Sequence, residues 1–250
     1  MSIEPQLYVA PPELLRDRII LVTGASDGIG RALALRTAKL GAQVILHGRN
    51  VKKLEKVYDE IVALEHAPRP SIAVIDLATA NSVAYESLAD KLAEEFGRLD
   101  GLVHNAAIVG DRFAIAQYDA VQWQRVLHVN LTAAFALTQV LLPIMQQAAD
   151  PSIIFTSSSV GRIGRAFWGA YAVSKFATEG LAQVLADEHR DGKLRVNCIN
   201  PGATRTAMRL ETFPAEDKGL LKGPDEVLAP YLFLLGPDSK GTSGQSLNSQ

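Results

Sequence analysis

Short apolar runs rich in β-branched residues alternate along this chain with longer segments whose apolar positions repeat at helical spacing. The run "RIILVTG" leads into "GIGRALALRTAKLGA", "QVILHG" into "VKKLEKVYDEIVALEH", and "SIAVID" into "SVAYESLADKLAEEFG". Continuous apolar strands that are each followed by a helix favour a parallel sheet, because the helical crossovers cover both of its faces. The alternation therefore predicts an α/β, three-layer, doubly wound fold with a mainly parallel sheet of about seven strands.

The second half of the chain continues the pattern without a break that would separate two domains. Its strands are "LDGLVHNA", "SIIFTSS", "KLRVNCIN" and, at a sheet edge, "SGQSLN". A long helix is predicted from about Gln122 to Gln147, and another helix carries Tyr171. The 250 residues, of which 48% are hydrophobic, suit one large core. We interpret residues 1–17 as an N-terminal extension and residues 18–250 as a single domain.

Charge and composition exclude several classes of partner. A net charge of −2 gives no electrostatic footprint for nucleic acid. The first residues carry an acid and three prolines rather than the basic and apolar regions of a signal peptide. No apolar run approaches the roughly 20 residues of a membrane helix. We expect a cytoplasmic protein with neither a membrane nor a nucleic-acid partner.

The single cysteine, Cys198, lies in the apolar run "LRVNCIN". One cysteine cannot form an internal disulfide, and its setting predicts a buried strand residue rather than a reactive thiol. The five histidines show no paired metal-ligand spacing and no carboxylate cluster beside them, so we predict no metal site. They are His47, His66, His104, His128 and His189.

A glycine-rich turn, "TGASDGIG", joins the first predicted strand to the first predicted helix. It places Gly24, Gly28 and Gly30 where the backbone can pass close to a phosphate, while the free N–H groups of the helix point at the charge. A glycine triplet alone is weak evidence, but the strand before it and the helix after it strengthen the interpretation. The turn predicts a dinucleotide site.

The end of the second strand, "VILHGRN", bears on which dinucleotide is bound. NAD sites of this type usually have an acid here for the ribose 2′-hydroxyl, whereas this chain has Gly48 followed by Arg49. A guanidinium attracts a 2′-phosphate that a carboxylate would repel. Asp27 argues mildly for NAD. Lys52 and Lys53 add local positive charge, although a solvated helix face is the simpler interpretation of both. The balance favours NADP(H).

Two further strand ends contribute candidate cofactor-binding residues. Asp76 and Leu77 end the third strand, where a carboxylate can bind the adenine amino group. Asn105, Ala106 and Ala107, in "HNAA", end the fourth strand, and their small side chains leave room for a dinucleotide across the sheet edge. Each feature is also compatible with ordinary packing at a strand end.

These motifs in this order resemble the short-chain dehydrogenase/reductase family, whose members have the Rossmann fold. The matching stretches cover nearly the whole chain and are "TGASDGIG", "HNAA", Asn130, "SSSVG", "YAVSK" and "NPGATRT". The Tyr-x-x-x-Lys pair with a serine 13 residues upstream, combined with the glycine turn, is a highly specific signal. Within the family the closer resemblance is to the bacterial YciK-type oxidoreductases.

The resemblance implies roles for individual residues. Asn130, Ser158, Tyr171 and Lys175 match the catalytic tetrad, with Ser158 preferred over its serine neighbours by spacing. The implied cofactor-binding set consists of Gly24, Ser26, Asp27, Gly28, Ile29, Gly30, Arg49, Asp76, Leu77, Asn105, Ala106, Ala107, Tyr171, Lys175, Pro201, Gly202, Thr204 and Thr206. Two departures stand out: Ala107 replaces a usual glycine, and the usual acidic-diglycine ending is absent, which leaves the C-terminal packing open.

The tetrad has a chemical rationale. Reduction of a carbonyl needs a hydride from the nicotinamide and a proton for the developing alkoxide, which Tyr171 can give. Lys175, one helical turn on, is expected to lower the phenol pKa from about 10 and to bind the nicotinamide ribose. Ser158 is expected to hydrogen-bond the substrate oxygen. Asn130 is expected to hold a water that continues a proton relay to solvent.

The function predicted is an NADP(H)-dependent oxidoreductase that moves a hydride between nicotinamide and a carbonyl or secondary alcohol. Two alternatives remain open: a non-catalytic NADP(H)-binding sensor or scaffold, and an NAD-linked alcohol dehydrogenase. The complete tetrad disfavours the first, and the missing acid at Gly48 disfavours the second. The small-molecule substrate itself is not predicted.

Candidate substrate-pocket and interface residues follow from sequence position. The pocket candidates are Val109, Ser159, Phe167, Trp168 and a flap of residues 208–223. Arg162 and Arg165 are near the catalytic serine in sequence and could accept an acidic substrate, although ordinary loop or interface charges are the simpler interpretation. The apolar excess of "NLTAAFALTQVLL" suggests a second buried helix face. A homodimer or homotetramer is therefore expected.

Overall fold

A seven-stranded, fully parallel sheet forms the centre of the molecule. The structure, a computed structural model, describes residues 4–250. The strand order is β3-β2-β1-β4-β5-β6-β7, and every neighbouring pair of strands is parallel. The strands are β1 (Ile19–Thr23), β2 (Gln43–Gly48), β3 (Ser71–Val74), β4 (Gly101–His104), β5 (Ser152–Thr156), β6 (Arg195–Asn200) and β7 (Ser246–Asn248).

Eight α-helices are assigned within the described residues. They are α1 (Gly28–Lys39), α2 (Val51–Val62), α3 (Ser82–Phe96), α4 (Ala120–Leu127), α5 (Ala133–Met145), α6 (Gly169–Glu188), α7 (Ala207–Thr212) and α8 (Ala229–Leu235). Side chains fix several of their starting points: Asn50, Asn81 and Asp119 each accept a hydrogen bond from a backbone N–H in the first turn of α2, α3 and α4.

Two hydrophobic cores lie on opposite faces of the sheet, because successive strand side chains point to opposite faces. Ile19 and Leu21 of β1 belong to the core that α3, α5 and α6 cover. Ile20 and Val22 belong to the core that α1, α2 and α8 cover. All five residues of β1 and of β5 are buried. The prediction of a three-layer, doubly wound α/β fold is therefore confirmed.

The predicted long helix is a continuous helical segment, Ala120–Met145, that is interrupted by one wider turn. Residues His128–Thr132 form a π-helical turn between α4 and α5. By length and composition alone this segment could cross a membrane, so the expectation that no apolar run approaches that length was wrong. Its buried side chains, including Leu137 and Leu141, pack in the core on the α3 side of the sheet.

The described part of the N-terminal extension packs on the sheet domain. Leu15 is fully buried in the core shared with α1 and α8. The Tyr8 hydroxyl donates to an Asp238 carboxylate oxygen at 2.8 Å, and the Tyr8 ring meets Phe233 edge-on. Residues 4–17 thus contribute to the core, and the domain boundary at residue 18 stays a prediction.

The strand order reverses between β1 and β4. Chain segments leave the carboxyl ends of these two strands in opposite directions, which opens a crevice at that edge, the usual position of ligands in open α/β sheets. The loops after β1, β4 and β5 all begin at this edge. The topology therefore brings the glycine turn, "HNAA" and the serine run together.

Candidate active site

The glycine turn after β1 has the backbone that its glycines allow. Gly24 and Gly28 have φ values of 67° and 52°, in the left-handed region that favours glycine. Gly30 lies under the turn, and a Cβ there would collide with the carbonyl oxygen of Gly24. Asn105 supports the turn from the next strand, since its amide donates to the Thr23 carbonyl oxygen at 3.2 Å. Helix α1 can thus begin close to β1 with its N-terminus open to a ligand.

Asp27, at the start of α1, is already paired with a cation. Its carboxylate accepts from Lys53 Nζ at 2.8 Å and from the Gly28 N–H at 2.8 Å. The hydrogen bond from Lys53 is the main reason that the pKa of Asp27 lies below its ordinary value. The argument for NAD from Asp27 therefore loses force, because Lys53 compensates its charge.

Arg49 follows Gly48 at the end of β2 and is exposed on the wall of the crevice. Among residues 4–250 it forms no ion pair and no side-chain hydrogen bond. Its guanidinium is therefore available to a ligand at the strand end where an NAD site would carry an acid.

The crevice is a cavity of about 1400 Å³ that runs from the glycine turn to the flap. Nearly all residues named as site candidates from the sequence line it. They are Gly24, Ser26, Asp27, Gly28, Ile29, Arg49, Asp76, Leu77, Asn105, Ala106, Ala107, Ser158, Tyr171, Lys175, Pro201, Gly202, Thr204 and Thr206. Gly30 and Asn130 do not line it; both lie behind its wall.

The cavity wall fits a dinucleotide. It combines the glycine turn, a helix N-terminus and the guanidinium of Arg49, all of which suit phosphate groups. His47 also lines the wall, and neither nitrogen of its buried ring has a hydrogen-bond partner within the described residues. Burial lowers the pKa of His47 to about 4, so the ring is neutral. Sequence reasoning missed His47, although its position at the carboxyl end of β2 was a usable signal.

Tyr171 and Lys175 lie on the first turns of α6, with their side chains at the cavity. They are 9% and 4% exposed. Lys175 Nζ donates to the Thr156 carbonyl oxygen, at the end of β5, at 2.6 Å. The same nitrogen lies 5.6 Å from the centroid of the Tyr171 ring. The pair is therefore fixed to the edge of the sheet and is largely removed from solvent.

The expected lowering of the Tyr171 pKa was wrong for this structure. Burial raises the pKa of Tyr171 to about 12, and a hydrogen bond with Ser158 opposes the rise only in part. Burial also lowers the pKa of Lys175 to about 8. Desolvation disfavours the charged form of each group and is the largest cause of both shifts. Tyr171 is consequently a protonated phenol at neutral pH.

The three consecutive serines have different surroundings. Ser157 is buried and its hydroxyl has no partner within the described residues, whereas Ser159 is exposed. Ser158 is half-buried and lines the cavity together with Tyr171, and its hydroxyl partly opposes the rise in the Tyr171 pKa. The geometry therefore agrees with the choice of Ser158 as the serine that would meet a substrate oxygen beside the phenol.

Asn130 lies in the π-helical turn, and its side chain makes three hydrogen bonds. Its Oδ1 accepts from the Ile108 N–H at 2.9 Å, while its Nδ2 donates to the Ile108 carbonyl at 2.9 Å and to Ser174 Oγ at 3.0 Å. The side chain thus joins the loop after β4 to α6. A water held by the Asn130 side chain, as the sequence suggested, would have to donate to the second lone pair of Oδ1, because both Nδ2 hydrogens are used.

Three elements meet around Arg112 at the end of the cavity beside the flap, which we call the substrate half. The Arg112 guanidinium carbon is 4.7 Å from the ring centroid of Trp168 and 4.7 Å from that of Phe213. Its Nη1 donates to the Thr212 carbonyl at 3.2 Å. Arg112, from the loop after β4, therefore ties the loop before α6 to the flap. Sequence reasoning missed Arg112, because no short motif brings it together with Trp168 and Phe213; Phe213 itself lies in the predicted flap of residues 208–223.

The other substrate-pocket candidates divide into two groups. Val109, Ser159, Trp168 and Arg165 line the cavity. Phe167 does not line it. Arg162 does not line it either and has the structural role that was the simpler interpretation. Its guanidinium binds Glu179 on α6 as well as Ser246, Leu247 and Asn248 at β7.

The C-terminal segment packs on the loop after β6. The sequence did not predict this packing, because the usual acidic-diglycine ending is absent. Strand β7 pairs with β6, and Gln250 Nε2 donates to the carbonyl oxygens of Pro201 and Ala203 at 2.9 and 3.1 Å.

Cys198 is buried on β6, as predicted, and burial raises its pKa. Within residues 4–250, no group of three or more His, Cys, Asp or Glu residues could hold a metal ion.

Fold and cavity together define an α/β protein of the Rossmann class with a tyrosine–lysine pair at the carboxyl edge of its sheet. Comparison with known proteins gives the family: the short chain dehydrogenase model matches residues 18–217. The chain belongs to the short-chain dehydrogenase family of oxidoreductases. It is 51% identical to the Escherichia coli oxidoreductase YciK, over 97% of this chain and 96% of that protein, which confirms the YciK-type resemblance.

Solved structures agree closely. A short-chain dehydrogenase from Shigella flexneri superimposes with a TM-score of 0.96 at 49% identity, covering 99% of this chain and 96% of that one. A protein from Escherichia coli CFT073, solved in complex with NADPH, has a TM-score of 0.93 at 51% identity and covers 96% of this chain and 100% of its own. The family relationship therefore extends over nearly the whole fold.

The buried Lys175 gives a prediction for stability against pH. Its pKa of about 8 in the folded chain lies below the unfolded value of about 10.4, so the unfolded chain binds more protons between these limits. Stability from this group therefore rises with pH from about 8 to 10.5. Relative to Lys175→Met, the wild type should gain about 3 kcal/mol of unfolding free energy across that window.

Urea unfolding of both proteins at pH 7.5 and at pH 10.5 measures this difference. Most other groups titrate alike in the two proteins, so their effects cancel in the comparison. An unchanged difference between the two pH values would mean that Lys175 is not desolvated as the structure describes.

Proposed function

We propose that the protein is an NADP(H)-dependent oxidoreductase that transfers a hydride between nicotinamide and a carbonyl or secondary alcohol, with Tyr171 as general acid and base. One observation carries the proposal: Tyr171, Lys175 and Ser158 share a single cavity with the glycine turn and with Arg49. A binding protein without chemistry has no need to bury a lysine beside a phenol, because that burial carries a desolvation penalty.

The side chains divide the chemistry between them. A bound nicotinamide would supply the hydride. Ser158 positions the substrate oxygen beside the phenol, and Tyr171 gives that oxygen its proton as negative charge develops. Lys175 keeps a cation close to the phenol as the proton leaves. Because burial raises the pKa of Tyr171, the phenol carries its proton at neutral pH, as a general acid must before it donates.

Three features support NADP(H) over NAD(H). Arg49 stands free after Gly48, and Lys53 compensates the nearby charge of Asp27. A 2′-phosphate would therefore meet cations at this strand end. Relatives from Shigella flexneri 2a and Escherichia coli CFT073, 50% and 51% identical, have been solved with NADP and with NADPH.

The cofactor proposal is tested by fluorescence titration of the protein with NADPH and, separately, with NADH. NADPH should bind at least about tenfold more tightly, and Arg49→Ala should remove most of that preference, since a charge-assisted contact with the 2′-phosphate is lost. Arg69→Ala is the control, because Arg69 is exposed and lies outside the cavity. Equal affinity for the two cofactors, or tighter NADH binding, would refute the assignment.

We also propose that the chain self-associates through α6. Val173, Phe176 and Val184 are 43%, 43% and 55% exposed, and their helical spacing puts them on one face with Gly180. Phe135 on α5 is 48% exposed. Large apolar side chains that recur on one exposed helix face are typical of a protein interface. A homodimer or homotetramer would bury them.

Light scattering after size-exclusion chromatography checks the interface. Phe176→Asp should shift the mass towards that of one chain, because an unpaired carboxylate in an apolar contact is costly. Val83→Asp, on the exposed surface of α3, is the matched control and should leave the mass unchanged. A single-chain mass for the wild type would contradict the proposal, as would an unchanged mass for Phe176→Asp.

A further inference from the structure

The Arg112 guanidinium lies against two adjacent aromatic rings. Trp168 and Phe213 each present a ring at 4.7 Å from its central carbon, in the range of favourable cation–π contacts. The two rings belong to different elements, the loop before α6 and the residue after α7. An exposed arginine ordinarily samples many rotamers, so contact with two adjacent rings removes part of the entropy cost of using this one in binding.

The edge of the same guanidinium is mostly unused. Arginine carries five N–H donors in a planar fork, and the one bond of this side chain in the described residues runs from Nη1 to the Thr212 carbonyl. No carboxylate of residues 4–250 forms an ion pair with Arg112. The Arg112 guanidinium therefore lines the cavity with several N–H donors that have no partner among residues 4–250 and with no carboxylate there to neutralise its charge.

The surrounding charges favour an anion as well. The substrate half of the cavity is lined by the carboxylates of Asp111 and Glu211 and by four arginines. One of the four, Arg209, is neutralised by Glu216. The other three form no ion pair within the described residues and are Arg112, Arg125 and Arg165. Cations thus exceed carboxylates on this wall.

The distance from this cation to the catalytic phenol sets the size of a ligand. The Trp168 ring centroid lies 4.7 Å from the Arg112 guanidinium carbon and 5.6 Å from the Tyr171 ring centroid, so the guanidinium and the phenol lie beside the same indole ring. Val109, Trp168 and Phe213 give the intervening wall an apolar character. A ligand that reached both groups would carry an anion at one end, a carbonyl at the other and an apolar spacer between them.

We infer that the substrate is a carbonyl compound bearing a carboxylate, held by Arg112 across a short apolar or aromatic spacer. The inference deepens the proposed function and rests on it, since Tyr171 is taken as the group that meets the carbonyl. Arg112 is then the residue that determines specificity, with Arg125 and Arg165 adding to the field. The carboxylate would take the fork of Arg112 while the aromatic rings keep the fork in place.

The test uses probes that differ in charge but hardly in shape. Benzoate and benzamide are compared for binding to the NADPH-loaded protein by saturation-transfer NMR, and 4-formylbenzoate and 4-formylbenzamide are compared for reduction. The wild type should prefer the carboxylate by at least about fivefold in Kd and in kcat/KM, as expected for a hydrogen-bonded ion pair. In Arg112→Leu that ratio should fall to about one, and Arg112→Lys should keep part of it.

Arg69→Leu is the matched control for loss of one positive charge, since it lies outside the cavity, and its ratio should equal that of the wild type. If Arg112 only held the flap in place, Arg112→Leu would weaken the binding of both probes by the same factor. The ratio of their Kd values would then be unchanged, which would overturn the inference. Equal binding of benzoate and benzamide by the wild type would overturn it without any variant.

Binding and reduction separate this inference from the proposed function. A preference for benzoate that Arg112→Leu abolishes, with no reduction of either aldehyde, would support the anion site and count against the oxidoreductase proposal. Reduction of both aldehydes at equal rates would support the oxidoreductase proposal and reject the anion site.

Discussion

The hydrogen bond from the buried Lys175 ammonium to the Thr156 carbonyl joins α6, which carries Tyr171, to the sheet. Thr156 is the last residue of β5, and its hydroxyl also hydrogen-bonds the Tyr231 hydroxyl on α8. Thr156 therefore links α6, on one face of the sheet, to α8 on the other face. Gly161 lets the serine loop lie directly on α6, since a Cβ there would come within 2.9 Å of the Lys175 Cβ. Much of the site geometry depends on this one contact.

Desolvation explains why the contact matters chemically. Burial acts in opposite directions on the two groups, raising the pKa of Tyr171 and lowering that of Lys175, so both move towards their neutral forms. The phenol therefore holds its proton until negative charge on a substrate oxygen draws it away. The lysine, with a pKa of about 8, is charged at neutral pH but can respond to charge in the cavity.

The sequence was sufficient to predict the fold and most of the cavity wall. Apolar strands that alternate with helices define a parallel sheet, and a parallel sheet brings the residues at its strand ends to one edge, which is why Arg49, Asp76 and Asn105 were found. Helical spacing also placed Tyr171 and Lys175 together. Each of these inferences needs only local periodicity and one topological rule.

Other features depend on burial and on contacts between distant segments, which local periodicity does not contain. The sign of the Tyr171 pKa shift follows from how completely the Tyr171 side chain is buried. Arg162 and Arg165 are near neighbours in the sequence, yet one binds β7 and the other lines the cavity. Arg112 gains its setting from rings contributed by two other loops. The side-chain bonds of Asn130 likewise join a π-helical turn to a loop and to α6.

The most direct test of the account is the rate of NADPH oxidation by Tyr171→Phe with a panel of aldehydes and ketones, measured together with NADPH affinity. Removal of the phenolic proton donor should lower turnover by about 10²–10⁴-fold, while the dissociation constant for NADPH should change by no more than about twofold, because the glycine turn and Arg49 are untouched. Turnover equal to that of the wild type would show that Tyr171 is not the proton donor, and the proposed chemistry would be wrong.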